Sequence, residues 1–354
     1  MKIVSVVGAR PQFIKAAPVG RALQSAGVRE VLLHTGQHYD AGMSDVFFAE
    51  LGIKSPDYNL GVGSGSHAQQ TAAMLTGIEA VLLSERPDWL LIYGDTNSTL
   101  AGALAAAKLG VRIAHVEAGL RSYNRAMPEE INRVVADSLS RLLFCPTRAA
   151  QENLAREGVT SGVHVVGDVM YDAVLWAAGR MEAGESRILS RLGLVSGEYL
   201  LATIHRAANT DNPGNLASIM AALEACGETV VFPVHPRTRK ALSVAGIEPG
   251  KNVRAIEPLS YLEILTLAKH ARKVLTDSGG LQKEALWLQV PCVTLRDETE
   301  WIETVECGWN TLVGADTERI LAAVLSPTPR QEPPQPYGDG HAAERIAELL
   351  KRNA

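Results

Sequence analysis

The chain has 354 residues, 46% of them hydrophobic and 21% charged, and a formal net charge of −5. Its length exceeds the roughly 250–300 residues at which single cores stop growing, which predicts two globular domains. With no strong basic block, binding to nucleic acid or an anionic membrane would have to rest on a local patch, and neither partner is expected.

The first apolar run, residues 2–7, passes at once into Gly8-Ala9-Arg10-Pro11. It is too short for a secretory signal, and no later stretch approaches a membrane span, so a cytosolic protein is expected. The four cysteines, Cys145, Cys226, Cys292 and Cys307, lack CxxC spacing and are expected to pack as small apolar residues. Further runs rich in Val, Ile and Leu follow at 30–34, 89–93, 111–116, 142–145 and 163–166, with helical stretches between them. Buried parallel strands read this way.

After Gly167 the pattern restarts, with candidate strands at 199–204, 229–234, 252–256, 273–276 and 291–295. The fold class predicted is α/β, as two Rossmann-like doubly wound halves. Residues 168–194 read as helix with Gly184 as a break, carrying the chain from one half to the other. A proline-rich stretch, 327–336, precedes an amphipathic helix at 341–350. The expected domains are residues 1–168 and 169–339, with 340–354 packing back on the first.

Three acids in the first half fall just beyond apolar runs or at a helix start: Asp95, Glu117 and Glu129. Acids at strand ends are where open α/β folds do chemistry. Each also has a structural reading. Asp95 precedes Thr96-Asn97-Ser98-Thr99 and serves equally as a helix cap, while Glu129, after Pro128, suits a helix start and reaches Arg133 at i+4. Glu117 precedes Ala-Gly without opening an obvious helix.

Anion-binding signals come from both halves. Arg10 lies in the loop after the first strand and Lys15 in the first turns of the next helix, although an isolated pair of this kind reads first as solvated surface cations, and only convergence with other groups raises it. The glycine pattern of a dinucleotide fingerprint is absent there, and so is a P-loop. In Thr276-Asp277-Ser278-Gly279-Gly280 an apolar strand ends, two glycines let backbone approach a ligand, and a helix begins. Its N-terminus favours phosphate, and Glu284 follows where a ribose hydroxyl could be held. The same residues read as an ordinary turn capped by Asp277 or Ser278. His205-Arg206 ends another strand and could donate to a diphosphate, although a lone His is as often a satisfied turn residue; His235, in Pro-Val-His-Pro, is a weaker candidate.

Together these segments resemble the non-hydrolysing UDP-N-acetylglucosamine 2-epimerases over essentially the whole chain. The matching pieces are GARPQFIKAAP, TGQHYD, GDTNSTLA, HVEAGLRS, MPEEINR, the His-Arg of TIHRAANTDN, PVHP, TDSGGLQKEA, the RD-TE pattern of LRDETEW, and PYGDG. The resemblance implies a glycosyltransferase-B-like fold, a UDP-sugar held in the cleft between two Rossmann-type domains, and a homodimer. It also implies a reaction. UDP leaves C1 as the C2 proton is removed, a 2-acetamidoglucal stays bound, and UDP returns with the proton delivered to the opposite face.

On this basis Asp95, Glu117 and Glu129 are the acid–base candidates, with His205 beside them, and the sequence leaves open which acid serves which face. Arg10, Lys15, His205 and the terminus Ser278-Gly279-Gly280 are assigned to the diphosphate. Glu284 is assigned to the ribose, residues 258–262 to the border of the uracil, and Arg133, Arg206 and His235 to the substrate. The route needs no metal or redox cofactor, and none is expected.

Two departures bear on the substrate. In many members a methionine follows the Gln-His of the third segment closely, in a region that helps to bind a second UDP-N-acetylglucosamine as activator; here Tyr39-Asp40-Ala41-Gly42-Met43 follows Gln37-His38. GARPQFIKAAP and HTGQHYDAGMSDVFF look more like the branch acting on UDP-2,3-diacetamido-2,3-dideoxyglucuronate. A uronate would want an extra cation near C6, for which Arg121, Arg125 and Arg206 are candidates. UDP-N-acetylglucosamine is the default substrate and the uronate the alternative, followed by a hydrolysing 2-epimerase, a glycosyltransferase and a catalytically silent UDP-sugar sensor.

Overall fold

The structure is a computed structural model that describes residues 1–37, 50–181, 185–332 and 334–354. The segment Tyr39–Met43 with His38, the predicted break at Gly184, and Pro333 of the proline-rich stretch lie outside the described residues. The chain divides into two compact units, Met1–Trp176 with Gln335–Ala354, and Ala177–Pro334.

The first unit is built on a seven-stranded sheet: β1 (Lys2–Val7), β2 (Arg29–His34), β3 (Tyr58–Asn59), β4 (Trp89–Tyr93), β5 (Arg112–Val116), β6 (Leu142–Cys145) and β7 (Val163–Val165). They lie in the order β3-β2-β1-β4-β5-β6-β7, every pair parallel. The chain leaves β1 toward β2 but returns to the other side of β1 with β4, so the sheet's topological switch point lies between β1 and β4. Strands buried on both faces need continuous apolar runs, and all five residues of β4 are buried. On one face Val4, Val6, Leu90 and Ile92 pack against Met74, Ile78, Ala103 and Ala106 of the covering helices. Helix Asn97–Leu109 comes close because it is rich in small residues; a Cβ on Gly102 would stand only 3.1 Å from Ile92.

The second unit repeats the scheme with β8 (Leu200–Thr203), β9 (Val230–Pro233), β10 (Val253–Ile256), β11 (Lys273–Thr276), β12 (Cys292–Thr294) and β13 (Asn310–Leu312). The order is β10-β9-β8-β11-β12-β13, again all parallel, so its switch point lies between β8 and β11. Alternate residues serve two cores. Leu200, Phe232, Leu275 and Val293 face Leu216, Ile219 and Leu223, while Leu201, Val231, Val274 and Cys292 face Leu267 and Ala285. Each such buried side chain contributes roughly 1.5–3 kcal/mol relative to exposure.

The predicted helix at 168–194 is described as Val169–Met181 and Glu185–Leu192, and the final helix as Ala342–Arg352. All four cysteines are free, Cys145 and Cys292 buried and the other two half-buried. Strands β3 and β13 escape the sequence reading because they are two and three residues long and carry no apolar run.

The C-terminal helix is anchored within the first unit by a buried carboxylate. Asp172 accepts from the N–H of Ala342 at 3.3 Å and of Ala343 at 2.7 Å, two of the orphan donors at that helix's start. Burial pushes its carboxyl up to about 6, against the lowering effect of those two bonds. Its folded value therefore lies above its unfolded one, so the proton is held more tightly in the fold and stability falls as pH rises from about 4 to about 6. Asp172→Asn keeps an acceptor and removes that titration. Urea unfolding at pH 4 and pH 7 is expected to show the variant gaining about 2–3 kcal/mol on the parent between the two. A difference that stays constant with pH would contradict this origin.

Candidate active site

In the first unit two of the sequence-predicted acids, Asp95 and Glu117, follow the carboxyl ends of β4 and β5, beside the switch point. The loop after β1 enters helix Arg10–Ser25, with Arg10 exposed at its first position. Gln12, buried one residue after Pro11, ties this loop to the next strand. Its side-chain oxygen accepts from the N–H of Gly8 (2.8 Å) and Ala9 (3.1 Å), and its amide donates to the carbonyl of Tyr93 (2.8 Å) and to Thr99 Oγ1 (3.1 Å). Gln12 was not among the sequence-derived candidates; its only signal is the capping-box position at the third residue of the helix.

One turn on, buried Lys15 forms an ion pair with Glu117 Oε2. The pair lies against Gly94, where a Cβ would stand 3.1 Å from Lys15 Nζ and 3.4 Å from Glu117 Oε2. Glu117 itself is held at φ +70. Such a left-handed conformation costs a non-glycine residue on the order of 1–3 kcal/mol and persists only where its surroundings over-determine it. Here the N–H groups of Glu117 and Ala118 both donate to the Phe144 carbonyl, each at 3.1 Å.

Asp95 follows Gly94 and is clamped by Arg133, whose Nε and Nη2 donate to Oδ2 at 2.9 and 2.6 Å. Its backbone carbonyl accepts from Asn132 Nδ2 at 2.8 Å. The helix cap expected of Asp95 is made instead by Thr96. Arg133 is 5% exposed and also binds Glu130 at 2.9 Å, so the expected i, i+4 pair with Glu129 is replaced by an i, i+3 pair. Burial would raise the Glu130 carboxyl, but bonds from Ser122, Arg133 and Tyr123 outweigh it and hold the group below the ordinary carboxylate range. Glu129 is exposed in the first turn of helix Pro128–Leu139, the helix from which Arg133 reaches Asp95. Arg121, named as a cation for a uronate, is corrected: it is buried and bonded to Leu120, Asp137 and Glu157. Arg125 is exposed.

In the second unit the anion-binding candidates gather at the other switch point. Asp277, fully buried after β11, accepts from the N–H of His205 at 3.0 Å, of Arg206 at 2.9 Å, and from Asn209 Nδ2 at 3.1 Å. It thereby fixes the His205-Arg206 turn, and His205 Nδ1 lies 3.3 Å from the same carboxylate. Ser278, not Asp277, caps helix Gly279–Trp287. The first N–H groups of such a helix have no intrahelical partner and, with the helix dipole, suit an anion. Gly279 is set by close approach, since a Cβ there would stand 2.8 Å from Glu300 Oε1.

Glu300 is the second residue without a role in the sequence reading. Its side chain is 9% exposed and pairs with Arg296 at 2.9 Å and Arg206 at 3.8 Å. Burial would raise its carboxyl, but the charge and hydrogen bond of Arg296 and the charge of Arg206 bring it down to about 2. His235 caps helix Pro236–Ala245, its Nδ1 accepting from the Arg237 N–H at 3.2 Å, with its ring 5.7 Å from that of His205. Glu284 is buried and accepts from the Tyr261 hydroxyl at 2.9 Å, which joins the ribose candidate to the stretch assigned to the uracil. Among the described residues no group of three His, Cys, Asp or Glu is placed to hold a metal, and no helix is long and apolar enough to cross a membrane.

Chemically, the first unit presents Glu117 paired with Lys15 and Asp95 paired with Arg133, and the second presents donors and a helix terminus suited to a diphosphate. A family model described as UDP-N-acetylglucosamine 2-epimerase matches residues 21–351. The chain is 52% identical to a UDP-N-acetylglucosamine 2-epimerase homolog of Methanococcus maripaludis, with 99% of each chain covered. It is 49% identical to the UDP-2,3-diacetamido-2,3-dideoxy-D-glucuronate 2-epimerase of Pseudomonas aeruginosa, over 99% of this chain and 100% of the relative. The crystal structure of Methanocaldococcus jannaschii UDP-GlcNAc 2-epimerase in complex with UDP-GlcNAc and UDP matches with a TM-score of 0.93 at 44% identity, covering 99% and 100% of the two chains. A spinosyn rhamnosyltransferase, at 14% identity and a TM-score of 0.56 over 99% and 96%, shares the fold alone, which is glycosyltransferase-B-like. With the family model spanning nearly the whole sequence and relatives this similar along their full length, the chain belongs to the UDP-N-acetylglucosamine 2-epimerase family.

Proposed function

We propose that the protein interconverts UDP-N-acetylglucosamine and its C2 epimer by eliminating UDP and adding it back. The observation that carries this reading is the pairing at the first switch point, where Lys15–Glu117 lies against Gly94 and Arg133 holds the adjacent Asp95. Inversion at C2 needs a base on one face of the ring and an acid on the other, and two separately matched carboxylates beside one glycine suit that demand. Each positioned proton-transfer group is worth roughly 10²–10⁴ in rate.

The C2–H bond is not next to a carbonyl, so its electrons need an outlet. In this reading they form the C1–C2 double bond as the C1–O bond breaks and UDP takes the leaving pair. Re-addition reverses these changes, with a proton placed on the opposite face. Arg10, His205, Arg206 and the Ser278-Gly279-Gly280 terminus are the groups we assign to the developing charge on the diphosphate. We assign Glu284 to the ribose, Glu129 to a third acid–base role from its exposed place on helix Pro128–Leu139, and His235 to the border of the same site. Lys15 and Arg133 contribute by holding Glu117 and Asp95 in place.

The Pseudomonas relative, similar along its whole length, favours a uronate as second reading. With Arg121 engaged elsewhere, the C6 cation would then be Arg125 or Arg206. We also propose a cytosolic homodimer, for which light scattering coupled to gel filtration is expected to give about twice the 37.9 kDa chain mass. A species at the chain mass would remove the dimer from the proposal.

Incubation in D₂O with each candidate UDP-sugar, followed at C2 by NMR, tests the reaction. An equilibrium mixture of epimers, deuterium at C2 and UDP retained on the sugar are expected, in EDTA and without added nicotinamide. Released free sugar would indicate hydrolysis, acceptor-dependent transfer a glycosyltransferase, and unchanged substrate a sensor. Glu117→Gln and Asp95→Asn are each expected to lower kcat by roughly 10²–10⁴. Near-parental turnover in either would remove that residue from proton transfer.

A further inference from the structure

Behind the proposed acids lies a chain of hydrogen-bonded side chains, buried from His115 to Arg121 and ending at exposed Glu157, that the reaction does not use directly. His115, on β5, is fully buried between two acceptors: Nδ1 is 2.7 Å from Asp137 Oδ1, and Nε2 is 2.7 Å from the Gly94 carbonyl oxygen. Neither a carboxylate nor a carbonyl can donate, so in each of these two bonds the ring nitrogen is the donor. Asp137, 1% exposed, also accepts from Arg121 Nη1 at 2.7 Å and from the Gly119 N–H at 3.1 Å. Arg121 in turn makes two 2.7 Å bonds to the Glu157 carboxylate. Two donor side chains, His115 and Arg121, thus alternate with two carboxylates.

A buried ionic network of this kind is weak evidence for stability, because well-packed apolar residues often serve as well. Its ends suggest another use. Gly94 precedes Asp95, and both of its peptide groups are tied to β5, its N–H to the Val116 carbonyl at 3.0 Å and its own carbonyl to His115. Gly119 lies two residues beyond Glu117, at φ +81, and its N–H is held by the carboxylate that holds His115. We infer that His115 is a positioning residue, which through Gly94 and, by way of Asp137, through Gly119 holds Asp95 and Glu117 in mutual register. The inference rests on the epimerase reading and names the residue that sets its geometry. A displacement of about 1 Å at a reacting group costs on the order of 10² in rate, so one unmade bond at Gly94 is enough to matter.

Two substitutions separate the ends of the ring. A glutamine amide reaches the place of Nε2 and preserves the bond to Gly94, whereas an asparagine amide reaches only that of Nδ1 and preserves the bond to Asp137. In His115→Asn, kcat is expected to fall about 100-fold while KM and UDP affinity move by roughly threefold at most, and His115→Gln is expected to recover to within about tenfold of the parent. Equal losses in both variants, or losses that follow UDP affinity, would overturn the inference, as would an active His115→Asn.

A second measurement does not depend on turnover. In protein labelled with ¹⁵N-histidine, two slowly exchanging imidazole N–H signals that vanish in His115→Asn are expected at neutral pH. A single such signal would overturn the inference even if the parent epimerises its substrate. A parent that turns over no UDP-sugar, yet shows both signals, would instead defeat the epimerase reading.

Discussion

A carboxylate taken out of water must meet a cation or a set of N–H donors, and nearly everything distinctive about this molecule follows from how that demand is met. An unpaired buried charge costs several kcal/mol or forces the group to neutralise. Glu117 meets Lys15 from the helix after β1; Asp95 and Glu130 meet Arg133 from a helix further along; Asp137 meets His115 and Arg121. In the second unit Asp277 is met by backbone and side-chain N–H groups, and Glu300 by two arginines. Apart from the local pairs Glu130–Arg133 and Glu300–Arg296, each pairing joins segments well apart in sequence, so satisfying the charges also fixes the loops that carry the proposed chemistry.

The doubly wound order supplies the place for these pairings. Both sheets split their crossovers about a central strand pair, β1 with β4 and β8 with β11, leaving loops on either side free to diverge at the carboxyl ends. The two units use the same opening differently. In the first it is filled by acids with their cations, in the second by a helix start, two glycines and a histidine–arginine turn. A reaction in which charge leaves the sugar as a diphosphate needs both kinds of opening, one to move a proton and one to receive an anion.

Much of this was legible in the sequence. Apolar runs marked eleven of the thirteen described strands to within a residue or two, because strands buried on both faces admit little else. Asp95, Glu117, His205 and the Ser278-Gly279-Gly280 turn stand where those runs end. What could not be read locally was pairing at long range. Glu129 and Glu130 both lie within reach of Arg133 on a helix, and Glu130 takes the pair because the N–H groups of Ser122 and Tyr123 already hold it there. Arg121 looked available for a ligand until Asp137, sixteen positions on, and Glu157, thirty-six positions on, were seen to enclose it. Gln12 gave no signal beyond its capping-box position and His115 none, since each draws its meaning from strands that only the fold brings beside it.

The central claim is that departure of the nucleotide provides the electron outlet that proton removal at C2 requires. It is tested most directly with UDP-sugar carrying ¹⁸O in the bridge between C1 and the β-phosphorus, followed by ³¹P NMR through many turnovers. Breaking and remaking the C1–O bond predicts that the label moves from the bridge to non-bridging positions as the epimers equilibrate. Complete epimerisation with the label still wholly in the bridge would contradict the account.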